Sequence, residues 1–164
     1  MTNPYAKFLG QRDAREAIAA APARLAELAK QLGAEGLERS IAPGKWRARE
    51  ILCHLADCEV AFAFRLRQAL AEPRHVIQPF DQEAWSKPYT ALAAQTALDA
   101  FTALRIWNEA LLAATPAAAW NQTVNHPERG DMTFQTVVET MAGHDLNHIA
   151  QLETILAGKP PRQS

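Results

Sequence analysis

The sequence of 164 residues, 48% of them hydrophobic, is long enough for one domain with a single core. Its 17 basic and 18 acidic side chains are spread along the chain and give a net charge of −1, so no basic block offers a surface for nucleic acid. No apolar run approaches the roughly 20 residues that cross a bilayer, so neither nucleic acid nor a membrane is expected as a partner.

The N-terminal segment, MTNPYAKFLGQR, has neither the apolar stretch nor the cleavage site of a signal peptide, so the cytoplasm is the expected compartment. The first helical region covers residues 12–31 and contains Pro22, which suits the first turn of a helix better than its interior. We therefore expect a short helix, a kink, and then a helix over residues 21–32 that Gly33 ends.

The second predicted helix covers residues 47–70, where apolar side chains recur with the period of about 3.6 residues that marks an amphipathic helix. Pro73 ends it. Both cysteines, Cys53 and Cys58, lie on this helix, and a spacing of five residues separates their Cα atoms by roughly 7.5 Å, beyond disulfide reach. Both are expected to be free thiols.

The connection that follows, residues 73–89, contains three prolines and should be irregular, with one helical turn around FDQEAW. Thr90 then offers an N-cap for the third helix, which should extend to residue 114. A short turn runs from Thr115 through residue 120, and the stretch NHPERGD, residues 125–131, has the composition of a turn.

Thr133 caps the fourth predicted helix, residues 134–157, and Gly158 ends it before a Pro-rich tail, residues 158–164, that we expect to be mobile. Four long helices without an internal repeat or a change of composition indicate an all-α fold, a single four-helix bundle over residues 1–164. The two later connections, of about 17 residues each, can reach over about 50 Å, so at least one crossover along the bundle is possible.

The last helix contains the stretch GHDLNHIAQLE, in which His144 and His148 occupy the apolar seam four residues apart. Such residues are neighbours on one helix face, so both imidazoles can bind one cation. His54 lies on the seam of the second helix. If the second and fourth helices face each other, three imidazoles meet and leave a fourth position open, as in catalytic zinc sites. The alternative, favoured for His54 taken alone, is a core histidine with satisfied hydrogen bonds.

Two other residues of the last helix are candidates for catalysis. Gln151 should line the same face as the histidines, where its amide could orient a substrate or a bound water, although a purely structural amide is the alternative. Asp145 takes the place of the glutamate in the zincin motif HExxH, but it is one methylene shorter and no third histidine follows, so a zincin is not favoured. Asp145 stays a candidate base.

The remaining candidates favour structural roles. Cys58 could approach the ion, but a small core-filling side chain is the preferred interpretation. His75 and His126 fall in predicted loops, and Trp46 should close one end of the bundle. A di-iron centre needs Glu-x-x-His on two helices. The one literal match, residues 72–75, contains Pro73, which takes it out of helical geometry, so a di-iron centre is not expected.

The segments GKWRAREILCHLADCEVAFAFRLR and HPERGDMTFQTVVETMAGHDLNHIAQL resemble the DinB/YfiT-like superfamily, whose members are regarded as metalloenzymes. The resemblance extends over residues 13–156, and its most specific part is the lone histidine of HLADCE combined with HxxxHxxQ on the last helix. It implies a four-helix bundle with up-down-down-up topology and a divalent metal, zinc or nickel, bound by His54, His144 and His148. It also implies a possible homodimer.

The resemblance does not fix the reaction, because some members transfer or isomerise adducts of low-molecular-weight thiols such as bacillithiol and mycothiol, and others have no assigned substrate. We expect a metal-dependent enzyme that acts on a small molecule, in which the cation lowers the pKa of a bound nucleophile. A low-molecular-weight thiol is the favoured nucleophile, which makes the protein a thiol S-transferase. The alternatives are a hydrolase, with water as nucleophile, and a non-catalytic stress protein that binds a metal or a small molecule.

Overall fold

The computed structural model of the protein describes residues 3–72 and 74–158. Its elements are, in chain order, α1 (Ala6–Leu9), α2 (Ala14–Leu37), α3 (Ala48–Ala71), α4 (Gln82–Ser86), a 3-10 helix (Lys87–Ala91), α5 (Ala94–Ala114), a second 3-10 helix (Ala117–Asn121), β1 (Thr123–His126), β2 (Gly130–Thr133) and α6 (Phe134–Leu156). No helix among these residues is long and apolar enough to cross a membrane.

The long helices α2, α3, α5 and α6 form the predicted four-helix bundle. Both α2 and α3 pack against α5 and α6, so α2 and α3 stand at opposite corners. Contacts between α3 and α5 advance along both helices, from Glu59–Arg105 to Arg67–Asn108, so these two helices run parallel. Residues 74–93 therefore cross the length of the bundle, and the predicted up-down-down-up topology is confirmed.

Helix α2 differs from the sequence-based expectation of two helices, since it continues through Pro22 without a break in helical backbone geometry. Proline has no N–H to donate to the carbonyl of Ile18, but Arg105 of α5 donates Nη1 to that carbonyl at 2.8 Å. A tertiary hydrogen bond thus replaces the missing helical one. The break comes at Gly33, which has a φ of 62° and a ψ of −177°, and helical turns beyond it extend to Leu37.

Helix α3 matches its predicted bounds to within one residue, while the predicted terminator Pro73 lies outside the described residues. Helix α5 ends as predicted but begins at Ala94, so Thr90 is not its N-cap. Thr90 belongs to the 3-10 helix instead. The neighbouring Tyr89 is buried, and its hydroxyl donates to Asp57 of α3 at 2.7 Å, which ties this segment to α3 before α5 starts.

The stretch predicted as a turn, residues 125–131, is part of a hairpin in which β1 pairs antiparallel with β2. The four-residue strands are too short to give a clear alternation of apolar and polar residues. After β2, Thr133 caps α6 as predicted, because its Oγ1 accepts from the N–H of Thr136 at 3.1 Å. Gly158 follows the helix with a φ of 62°, and the rest of the predicted tail lies outside the described residues.

The interior consists of two apolar clusters separated by polar side chains. One cluster surrounds Leu25 and Leu52, and the other surrounds Leu66 and Val138. Between them lies a layer of buried polar groups from three helices, hereafter the polar layer: His54, Glu59, Arg105, Asn108, His144, Asp145 and His148. Buried polar groups require partners, so this layer is the part of the core where chemistry is expected.

Candidate metal centre

Three histidine side chains from two helices meet in the polar layer. His54 comes from α3, and His144 and His148 come from α6, one helical turn apart. Their ring centres lie 4.5 to 5.2 Å from one another, and Nε2 of His54 is 3.1 Å from Nε2 of His144. The predicted convergence of the imidazoles is therefore present, whereas their binding of a metal stays a prediction.

Cys58 belongs to the same cluster. It follows His54 by one helical turn, and its Sγ is 3.4 Å from Nε2 of that histidine. The candidate ligand atoms of His54, Cys58 and His144 all lie within 4.8 Å of one another. The sequence favoured a core-filling role for Cys58, and in the structure its thiol also contacts the imidazole of His54. Burial raises the pKa of this thiol, so without a metal it is protonated.

Gln151 orients His148. Nδ1 of His148 lies 2.9 Å from Oε1 of Gln151, and because an amide oxygen only accepts, Nδ1 carries the proton and donates it. Nε2 then keeps its lone pair, as a metal-binding imidazole requires. The role that the sequence analysis gives to the Gln151 amide, orienting a substrate or a bound water, stays a prediction, and the structure adds the contact of its oxygen with His148.

The donor set fits a divalent transition metal. In tetrahedral zinc sites with Zn–N near 2.1 Å, two nitrogens are roughly 3.4 Å apart, and Nε2 of His54 is 3.1 Å from Nε2 of His144. Nδ1 of His144 is buried and has no hydrogen-bond partner among the described residues, so the cluster is not a fully satisfied core network. Imidazole and thiol donors suit zinc or nickel better than magnesium or calcium.

The protonation states suit the same role. Burial, followed by the neighbouring His144, lowers the pKa of His54 to about 3. Burial and the two other histidines also lower the pKa of His148 well below its ordinary value. These rings are therefore neutral near pH 7, and a neutral imidazole is the form that binds a metal.

The N-terminal segment, which the sequence did not connect with the site, covers one side of the cluster. The ring of Tyr5 lies edge-on to His144 with 5.1 Å between ring centres. The backbone of Tyr5 approaches α6 at Gly143, where an added Cβ would lie 2.6 Å from the Tyr5 carbonyl oxygen. Glycine in mid-helix thus permits the close approach that brings Tyr5 over the imidazoles.

Two cavities meet at this centre, and Tyr5 and Gln82 line both of them. The first, of about 230 Å³, reaches Cys58 and His144. The second, of about 360 Å³, reaches His54 and His148, and its other lining residues include Gln151 and Trp46. The ring of Trp46 lies 4.6 Å from that of His54, so the residue predicted to close the bundle end forms a wall of the site.

The second candidate for catalysis, Asp145, lines neither of the two cavities. Its Oδ2 forms an ion pair with Nη2 of Arg105 at 2.7 Å, and the guanidinium donates hydrogen bonds to both carboxylate oxygens of Glu59, at 3.0 and 2.7 Å. Burial alone would lower the pKa of Arg105, but the carboxylates of Asp145 and Glu59 raise it above its ordinary value. This ion network joins the residue after His144 to the residue after Cys58 and thereby fixes the two helices that carry the candidate ligands.

The loop histidines have different positions. His75 lies outside both cavities and is 2.9 Å, through Nδ1, from the carbonyl oxygen of Glu72. His126 ends β1, is buried, and lines the first cavity, so it belongs to the surroundings of the centre and not to an ordinary loop. Both cysteines are free, as predicted.

The model of the DinB superfamily matches residues 17–152. Among curated proteins, a "Putative metal-dependent hydrolase" of Oceanobacillus iheyensis is 29% identical over 130 residues, which cover 78% of this chain and 75% of that protein. A protein of the same designation from Bacillus mycoides is 26% identical over 136 residues, 82% of this chain and 78% of that protein.

Two solved structures are similar in fold. YfiT from Bacillus subtilis, described as a probable metal-dependent hydrolase with an unusual four-helix bundle topology, superposes with a TM-score of 0.81 at 23% identity over 87% of this chain and 83% of its own. A mycothiol-dependent maleylpyruvate isomerase gives 0.66 at 13% identity, over 93% of this chain and 63% of that one. With a family match over most of its length and this fold, the chain belongs to the DinB superfamily.

Proposed function

We propose that the protein is a metal-dependent enzyme in which His54, His144 and His148 hold a divalent cation. The convergence of three buried imidazoles where two cavities meet is the observation that carries this proposal. A cation bound there supplies a Lewis acid that lowers the pKa of a thiol or water. Zinc and nickel are the proposed metals, since the three proposed ligands are imidazole nitrogens, which suit both.

The other residues of the site position the ligands. Gln151 holds His148 in the tautomer with a free Nε2. Asp145 forms an ion pair with Arg105, and its carboxylate lines neither cavity. It is therefore poorly placed to take a proton from a nucleophile. We therefore assign no general base in the polar layer, and deprotonation of the nucleophile depends on its binding to the centre.

We propose thiol S-transfer as the reaction. Two cavities, one reaching His144 and the other His54 and His148, suit two substrates, a low-molecular-weight thiol and an electrophile, better than one. The thiol loses its proton to solvent, its sulfur forms a bond to the electrophilic carbon, and the leaving group departs with the bonding electron pair. The similar fold of a mycothiol-dependent enzyme is in line with this choice.

Hydrolysis is the second candidate, and the names of the curated relatives favour it. It uses the same centre with water as the nucleophile and needs only one organic substrate. Thiol dependence therefore separates the two reactions.

The test is an activity panel with the zinc-loaded or nickel-loaded protein. Small thiols are combined with haloarenes and epoxides, and carboxylic esters are added with and without thiol. Thiol transfer requires that turnover depends on both thiol and metal and is lost in His144→Ala. Ester hydrolysis without thiol that is also lost in His144→Ala would establish the hydrolase instead. A protein that binds metal but turns over neither class would be a binding protein.

A further inference from the structure

The first cavity carries more positive charge than the chemistry of the metal centre requires. His144 and Cys58 form its inner end, and Arg65 of α3 and Arg129 of the hairpin turn line its wall. The chain as a whole has almost balanced charge, with a net of −1. Two guanidinium groups at one cavity are therefore a local feature that needs an explanation.

Arg65 is held in place without a carboxylate. Its Nη2 donates to the carbonyl oxygen of Gln78 at 3.2 Å, and its Cζ lies 6.0 Å from the ring centre of Phe62 and 5.7 Å from that of Phe80. Two aromatic rings and one carbonyl orient the guanidinium, and most of its five N–H donors have no partner among the described residues.

Arg65 and Arg129 carry the same charge and line the same cavity. Within residues 3–72 and 74–158, neither Arg65 nor Arg129 forms an ion pair with a carboxylate. Burial and, to a smaller extent, the positive charge of Arg129 lower the pKa of Arg65, while Cys58 acts in the opposite direction. Guanidinium groups stay protonated even so, and such a pair is stabilised when an anion enters between them.

His126 adds a neutral donor to the same wall. It is 4% exposed, and its Nδ1 accepts from the backbone N–H of Glu128 at 3.2 Å. The proton is then on Nε2, which has no protein partner among the described residues. Burial, together with Arg129 and Arg65, lowers the pKa of His126, so the ring is an uncharged N–H donor near pH 7.

One negative group lines the cavity and opposes this charge. Glu128 is exposed and makes no ion pair with either arginine, so the wall keeps an excess of donors. Guanidinium forks match the two oxygens of a carboxylate or phosphate, and such charge-assisted hydrogen bonds are the strong ones.

We propose that this cavity binds an anionic group of the substrate, a carboxylate or a phosphate, through Arg65, Arg129 and Nε2–H of His126. The other end of the same molecule then reaches His144 and the metal. The second half of this statement rests on the proposed function, while the anion site itself does not. The substrate class is thus a small molecule with an anion at one end and the reacting group at the other.

The test compares two thiols of the same chain length, 3-mercaptopropionate, which ends in a carboxylate, and 3-mercapto-1-propanol, which ends in a neutral hydroxyl, by calorimetry on the zinc-loaded protein. We expect the carboxylate to bind about tenfold more tightly than the alcohol. Arg65→Gln and Arg129→Gln should each remove most of this preference without changing the affinity for the alcohol. Arg39→Gln removes the same charge from an exposed position outside both cavities and should leave the preference intact.

Equal affinities of the wild type for the two thiols, or a preference that survives in the double variant Arg65→Gln/Arg129→Gln, would overturn the proposal. Melting curves of each variant identify any loss of folding; if Arg65→Gln is unstable, Arg129→Gln in the hairpin turn decides alone. Competition by acetate and by inorganic phosphate against 3-mercaptopropionate shows which anion the site prefers.

A failure of the proposed function gives a different result. If neither thiol binds to the zinc-loaded protein, the anion site is judged by direct titration of the metal-free protein with inorganic phosphate and acetate. Saturable binding of either anion that both arginine variants lose supports the site without the enzyme. No binding of either anion refutes it.

Discussion

Replacing Arg105 by Met should strongly destabilise the protein. Arg105 is 0% exposed, and its partner Glu59 is 1% exposed. Without the guanidinium, the carboxylates of Glu59 and Asp145 and the carbonyl of Ile18 are buried without their cationic donor. Removal of one partner of a buried ion pair costs about 3–5 kcal/mol, and the lost bond to Ile18 adds to this cost. In a domain of this size we expect a decrease in melting temperature of about 10 °C or more.

The matched control is Arg24→Gln, which breaks an ion pair with Glu153 that is 41% and 46% exposed. Exposed pairs contribute less than about 1 kcal/mol, so this variant should melt within about 3 °C of the wild type. Urea unfolding followed by circular dichroism measures the loss of stability of each variant, and thermal unfolding measures its melting temperature. Adding Glu59→Gln to Arg105→Met should recover part of the loss, because one unpaired buried charge is removed. If Arg105→Met costs no more than Arg24→Gln, the network does not stabilise the bundle as described.

Four further predictions concern the metal centre and the assembly. Chelation should lower the melting temperature but leave the helical circular dichroism unchanged, because the apolar clusters do not need the ion; unfolding on chelation would indicate a structural metal. Burial and His144 lower the pKa of His54 to about 3, so the metal-free protein should lose stability as pH falls below about 6.5, by about 1.4 kcal/mol per pH unit for this ring. In His54→Leu the urea midpoint should therefore change less with pH between about pH 6.5 and 5. The same pH dependence in the variant and the wild type would speak against a neutral His54. Gln151→Ala should weaken zinc affinity at least about tenfold, and Gln151→Glu should not. Equal zinc affinities of the two variants would show that Gln151 does not support zinc binding through His148. The homodimer that we propose from the resemblance should use the exposed side chains of Phe64 and Trp107, so the double serine variant should have half the mass in light scattering, and a monomeric wild type would rule the dimer out.

Helical periodicity made the centre predictable. His144 and His148 share a face because they are four residues apart on one helix, and His54 lies on the apolar seam of another. Once α3 packs against α6, these positions meet without any further assumption. The same reasoning places Cys58 one turn from His54, but the distance of its thiol from the ring depends on side-chain rotamers, which the sequence does not give.

The parts that the sequence analysis missed depend on contacts between distant segments. Tyr5 reaches the centre from the N-terminal segment, and His126 reaches the first cavity from a hairpin whose strands are too short to predict. Glu59 and Arg105 gave a signal that could have been used, because each is a charged residue on the apolar stripe of its helix. Their pairing with each other requires the parallel arrangement of α3 and α5, which no local pattern reveals.

The metal content of the purified protein tests the central claim most directly. After gentle purification from zinc- and nickel-supplemented medium, elemental analysis should give about one divalent cation per chain. His54→Ala, His144→Ala and His148→Ala should each lose most of it, whereas His126→Ala, which alters the cavity wall but no proposed ligand, should retain it. Wild-type protein with less than about a tenth of an equivalent, or a His126→Ala variant that loses metal as badly as His148→Ala, would contradict the account.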